Sequence, residues 1–311
     1  MKNLFLLLSL LLVSCLYEKN DKPNIILFMV DDLGWQDTSV PFWSQETEFN
    51  KLYNTPNMEN LASMGVKFTN AYATPVCSPT RISLMTGMNS VNHRVTNWTL
   101  HPNVKKPAEI NHKEFEFPDW NYNGLSIIAG VNNTVYATPL PQILKDNGYY
   151  TIHAGKAHLG AISFPSSDPL NIGFDINIAG HAAGAPQSYL GIENFGNGDE
   201  KNKIWAVPGL EKYHGQDIFL TEAITQEILY SLNKPRELNT PYFLYFSLYN
   251  VHTPLKEDKR FSDKYKDLGL HPAEVKYASM IESMDYALGS ILNNISENDE
   301  LDNTIIIFMS D

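Results

Sequence analysis

The sequence predicts an α/β fold, a mainly parallel or mixed central sheet flanked by helices, on three observations. Continuous apolar runs with β-branched members recur along the chain, amphipathic helical segments alternate with them, and polar residues of catalytic type follow directly after the runs. With 311 residues, 43% of them hydrophobic, the chain can bury one large core or two ordinary ones.

Residues 24–30 (NIILFMV) are unbroken and apolar, as a strand buried on both faces requires, and the run stops at Asp31-Asp32. Residues 55–65 (TPNMENLASMG) put Pro56 in a first turn, Met58, Leu61 and Met64 at helical spacing, and a glycine at the end. That predicts a helix, with residues 66–73 (VKFTNAYA) expected as the strand after it. Pro79 suits the first turn of a further helix that opens at or next to Cys77 and stops at Gly87. Residues 138–148 (TPLPQILKDNG) repeat the helix-and-glycine plan, and residues 149–154 read as a strand.

Residues 163–213, rich in Gly, Asn, Pro and Ser, read as a long loop or lid. Ile218, Ala223, Ile224, Ile228, Leu229 and Leu232 are spaced for an amphipathic helix over 217–233. Pro241 leads into the apolar strand YFLYFSLYN, residues 274–294 form a long helix, and NTIIIFMSD closes the chain with a strand. No internal repeat or low-complexity tract is present. In open α/β sheets ligands bind at the carboxyl ends of the strands. The polar residues fall there: Asp31 and Asp32, Lys156 and His158, Asn250 and His252, and Asp311.

The net charge of -12, with no cluster of Lys and Arg, excludes a nucleic-acid partner. Lys2, an apolar run too short to span a bilayer, and Ser14 before Cys15 form the layout of a secretory signal. LVSC at residues 12–15 also resembles the bacterial lipobox. That likeness implies a signal over 1–14, a lipid on Cys15, a tether over 15–23, and an exported lipoprotein held at the periplasmic or outer-membrane surface. Cys77 then has no cysteine to pair with.

Adjacent aspartates at the end of a buried strand repel unless neutralised. Asp31, Asp32 and Asp311 offer oxygen ligands suited to calcium or magnesium; taken alone, the pair fits a capped, solvated turn as well. A cysteine at a helix N-terminus is expected to have a lowered thiol pKa, with Arg81 one turn away. A small buried cysteine in a capped helix is the plain alternative.

CSPTR at residues 77–81 resembles the C-x-P-S-R signature of the type I sulfatases, in the alkaline phosphatase-like superfamily. PNIILFMVDDLGWQD, the segment running from TPNMENLASMG into that signature, GKAHLG, FLYFSLYNVHTPL and TIIIFMSD match the same family in order. The resemblance implies a catalytic domain over 24–311 in which a maturation enzyme converts Cys77 to Cα-formylglycine. The hydrated aldehyde attacks the sulfur of a sulfate ester, and its second hydroxyl then expels sulfate. The resemblance further implies that Asp31, Asp32, Asp311 and the residue made from Cys77 hold calcium, with magnesium as an alternative. Arg81 stabilises the hydrate, Lys156 binds sulfate, His158 acts on the second hydroxyl and His252 protonates the leaving alcohol. Sulfated carbohydrates are the implied substrates.

Thr80 and Ala157 depart from the family's serine and tryptophan. The family continues past Asp311 with an asparagine ligand, a lysine and a smaller domain, so the resemblance implies a chain incomplete at its C-terminal end. The sequence also admits two other readings: a phosphomonoester or phosphonate hydrolase of the same superfamily, and a glycan-binding lipoprotein or degenerate fragment that keeps the fold without catalysis. His93, Arg94, His181 and His214 read as surface residues in preference to substrate contacts, and Trp98, Trp120 and Tyr122 as either sugar platforms or core.

Overall fold

The structure, a computed structural model, describes residues 22–105, 112–116 and 118–311. The expected signal and the lipid-accepting Cys15 lie outside the described residues. Strand β1 (Asn24–Val30) is followed by helices α1 (Glu48–Leu52), α2 (Pro56–Met64), α3 (Cys77–Thr86) and α4 (Ser90–His93). A short ribbon of β2 (Leu125–Ser126) and β3 (Val135–Tyr136) leads to α5 (Leu140–Asp146), β4 (Tyr150–Gly155) and β5 (Ile176–Ile178). Helices α6 (Leu220–Ser231) and α7 (Asn233–Glu237) precede β6 (Tyr242–Ser247), and α8 (Asp263–Asp267) and α9 (Pro272–Glu297) precede β7 (Thr304–Ser310).

The main sheet has five strands in the order β5-β4-β6-β1-β7, and every pair is parallel. Alternate side chains of each strand enter opposite layers. Ile26, Phe28 and Val30 share one apolar core with Leu244 and Phe246 of β6, Ile224 and Ile228 of α6, and Ile281, Met284 and Leu288 of α9. Leu27 and Met29 share the other with Phe243 and Tyr245 and with Ile82 and Met85 of α3. Because all strands point the same way, the residues that follow β1, β4, β6 and β7 line a single edge of the sheet.

Two sequence expectations fail. Residues 66–73 are not a strand: no backbone among the described residues forms a ladder with them, and Val66, Phe68 and Tyr72 stay largely exposed. A strand exists only as one side of a ladder, whatever its local propensity. Residues 163–213 are not an open lid. They carry β5 and five 3₁₀ turns, and Phe174, Tyr189, Phe195 and Leu210 are buried. The Gly and Asn there serve close turns in a packed segment.

Candidate active site

Asp31 directly follows β1 and is fully buried; its N–H donates to Asn250 O (2.8 Å), and its own carbonyl accepts from Val251 N–H (2.7 Å). Lys156, directly after β4, is anchored by its N–H on Ser247 O (2.7 Å), and its Nζ donates to Asp31 Oδ1 (2.7 Å) and Oδ2 (2.6 Å). Asp311 follows β7, where its N–H donates to Val30 O (3.2 Å), and its Oδ1 accepts from Asp32 N–H (3.3 Å). The carboxylates of Asp31, Asp32 and Asp311 offer oxygens all within 4.8 Å of one another. Cys77 stands outside that cluster.

Arg81 is a buried cross-brace. Its Nε donates to Asp311 Oδ2 (2.6 Å), its Nη1 donates to Lys156 O (2.8 Å) and to Ser247 Oγ, and its Nη2 lies 3.5 Å from Asp31 Oδ1 without a hydrogen-bond partner. Three carboxylates therefore face two cations. Burial pushes Asp31 up to about 8, against the pull of Lys156 and with Asp311 adding to the rise. Burial also acts to raise Asp311, but Arg81 and Lys156 outweigh it and hold that carboxyl below its ordinary range. An all-oxygen cluster whose full ionisation would leave a carboxylate uncompensated fits a hard divalent cation such as calcium or magnesium, with Asp31, Asp32 and Asp311 as its holders.

Cys77 is the first residue of α3 and opens, half-buried, onto a cleft of about 630 Å³ shared with His158 and His252. The expectation of a lowered thiol pKa is overturned: burial raises it, and Lys156 only partly offsets this while Asp31 reinforces it. Desolvation of the thiolate exceeds the pull of Lys156 and Arg81. Val76 before it has φ 74°, a rare conformation for a β-branched residue, and Asp32 and His158 also have positive φ. Such backbone strain gathers at functional sites.

His158 is 2% exposed; its Nε2 meets Thr99 O at 2.8 Å and its buried Nδ1 has no partner. Burial, then Lys156 and Arg81, hold it well below the ordinary histidine pKa, so the ring is neutral. His252 Nε2 lies 3.7 Å from Asp32 Oδ2, and burial with Lys156 lowers its pKa as well. The sheet edge thus brings together Asp31, Asp32, Arg81, Lys156 and Asp311, with Cys77, His158 and His252 around the adjoining cleft. A second cleft of about 250 Å³, lined by Lys22, Asn24 and Arg236, sits at the amino ends of the strands, away from these groups.

A family profile described as Sulfatase matches residues 23–311. The chain belongs to the sulfatase family. This sulfatase chain is 28% identical over 303 residues to the N-acetylgalactosamine-6-sulfatase of Homo sapiens, covering 93% of this chain and 49% of that protein. It is 27% identical over 348 residues to a sulfatase of Formosa agariphila, covering 98% and 61%. Among solved structures, Ps i-CgsB shares a TM-score of 0.67 at 26% identity over 93% of this chain and 58% of that one. PsFucS1 sulfatase from Pseudoalteromonas sp., at 21% identity and TM-score 0.64, covers 96% and 56% and shares the fold. The chain therefore spans between 49% and 61% of the length of these relatives.

Within the sulfatase chain, several residues differ from their sequence reading. His93 is buried, with Nε2 2.9 Å from Ser83 Oγ and Nδ1 accepting from Val95 N–H; it clamps α3 to α4. His181 pairs its Nδ1 with Tyr249 OH at 3.0 Å, and His214 has a buried Nε2, so neither is a free surface histidine. Arg94 is exposed, as read. Trp120 and Tyr122 pack edge to face, with Trp120 in the core. Trp98 lines the cleft. Ser247 and Thr99, which seat Arg81 and His158, carry no sequence signal, because their roles depend on who arrives opposite them.

Proposed function

We propose that the protein hydrolyses sulfate esters of carbohydrates. The observation that carries the reading is Cys77 at the head of α3 on the cleft beside Lys156, Arg81 and the Asp31, Asp32 and Asp311 cluster. A maturation enzyme converts Cys77 to formylglycine, whose hydrate supplies one hydroxyl to attack sulfur and a second to expel sulfate. Asp31, Asp32 and Asp311 would hold a calcium or magnesium ion, which when bound would supply positive charge for the sulfate oxygens.

The remaining work belongs to the side chains around the cleft. Lys156 binds the sulfate oxygens, and Arg81 stabilises the hydrate at position 77. His158 offers Nδ1, neutral and unpaired, to take a proton from a hydroxyl at that position. His252 lines the cleft beside Asp32, whose charge favours the protonated ring against the burial that disfavours it, and in that protonated form it delivers a proton to the departing sugar oxygen. The likeness to N-acetylgalactosamine-6-sulfatases, and to a structure in complex with D-glucosamine-2-N,6-O-disulfate, supports the carbohydrate class. We place the protein on an exported lipoprotein anchor at Cys15, on the strength of residues 1–15.

Mass spectrometry of the peptide containing residue 77, from the native host, is expected to show aldehyde or hydrate in place of the thiol. Turnover of aryl sulfate above aryl phosphate is expected of the full-length protein. An intact thiol, or faster phosphate turnover, overturns the reading.

A further inference from the structure

The cleft beyond the acidic cluster has a wall that the proposed chemistry leaves unused. Trp98 and Trp205 are both half-buried, both line the cleft, and both pack on the same small apolar group of Leu100, Ala182 and Ala183. Neither indole N–H has an acceptor among the described residues. Gln187 N–H donates to Trp205 O (2.7 Å), which ties the backbone of Gln187 to that of the second tryptophan.

Asp199 orients two amides of this wall. Its Oδ2 accepts from Asn202 Nδ2 at 2.9 Å and from Gln187 Nε2 at 3.4 Å. Both amide nitrogens are therefore turned toward Asp199, and Asn202 Oδ1 and Gln187 Oε1 have no donor among the described residues. Two free carbonyl oxygens beside two indoles suit a ligand that has hydroxyl donors and an apolar ring face. No Lys, Arg, Asp or Glu lines this cleft. A charged ring would enter it without a counter-charge, at the cost of desolvation.

We infer that Trp98 and Trp205, with Gln187 and Asn202, form the subsite for an uncharged sugar ring that carries the sulfate, so that the enzyme prefers neutral hexose sulfates to uronate sulfates. The C–H face of the pyranose lies on an indole, and its hydroxyls donate to Asn202 Oδ1 and Gln187 Oε1. This inference rests on the sulfate-ester reading above.

The test uses the full-length protein, its Trp205→Ala, Trp205→Phe and Asn202→Ala variants, a galactose sulfate, and the matching sulfate ester of a hexuronate. Trp205→Ala is expected to raise KM for the galactose sulfate about tenfold, the equivalent of one aromatic contact. Inhibition by inorganic sulfate, which meets only the cationic end, is expected to stay unchanged, and Trp205→Phe to recover most of the loss. Asn202→Ala is expected to raise KM with kcat nearly unchanged. Equal weakening toward inorganic sulfate, or preference for the hexuronate ester, overturns the inference while leaving the hydrolase reading intact. If neither ester turns over, the hydrolase reading fails. Tryptophan-fluorescence titration with an unsulfated neutral galactan oligosaccharide then decides the subsite: quenching lost in Trp205→Ala supports it, and no quenching overturns it.

Discussion

Arg81 has no contact with solvent, yet it is bound to Asp311, Lys156 and Ser247 and faces Asp31. Removing its charge strands buried carboxylates, and Arg81→Leu is expected to lower stability by about 3–5 kcal/mol, read as a urea midpoint. Arg81→Lys keeps the charge but loses the planar fork, so a smaller loss in stability and a large loss in turnover are expected. His153 shows the same physics without chemistry. It is fully buried beside Phe174 and Tyr245, its Nδ1 is 3.1 Å from Asn177 Oδ1, and burial lowers its pKa to about 3. Between that value and the ordinary histidine pKa the unfolded chain takes up a proton that the folded chain refuses, so stability falls as pH drops. From pH 7.5 to 5 the loss from this one group is about 2 kcal/mol, and His153→Leu is expected to flatten the urea-midpoint profile by that amount.

Elements place these residues through close backbone approach. Gly184 shows this most directly: a Cβ there would come within 2.3 Å of His158 Cε1, so the loop at 184 sets the ring position. Gly184→Ala is expected to cut turnover about 100-fold while the melting temperature changes little, since misplacing one catalytic group by about an ångström has that scale of effect. A loss of melting temperature matching the loss of activity would contradict that assignment. At this scale the longer helices were legible, the short ones at Glu48–Leu52, Ser90–His93, Asn233–Glu237 and Asp263–Asp267 were not, and one expected strand did not form. Cys77, Pro79 and Gly87 mark α3 because turn residues and caps act locally; Gly87, with φ 69°, ends it as expected. Val66, Phe68 and Tyr72 have strand propensity but no ladder to join.

Over the whole molecule, the parallel order β4-β6-β1-β7 delivers Lys156, His252, Asp31 and Asp311 to one end, although Asp32 and Asp311 are 279 residues apart in sequence. That end sets three carboxyl groups against two cations, and burial resists ionising all three, so a divalent cation is expected to stabilise the fold as well as serve the site. Calcium at 100 times its dissociation constant is expected to add about 2.7 kcal/mol, seen as a rise in melting temperature that a chelator reverses. Asp31→Asn is expected to abolish the rise. A wild-type melting temperature indifferent to calcium and magnesium would remove the cation from the site.

The sequence by itself determined the α/β class, the strand-end position of the acidic and basic residues, and the signature at residues 77–81. These are local properties, written in hydrophobic period, turn residues and spacing. Tertiary structure alone decided that Arg81 braces two carboxylates, that His93 is a buried clamp, that the Cys77 thiol is raised rather than lowered, and that Asp199 turns two amides beside two tryptophans. Each of these depends on partners brought from distant segments into a poorly solvated space, where burial and pairing outweigh the tendencies of any residue taken alone.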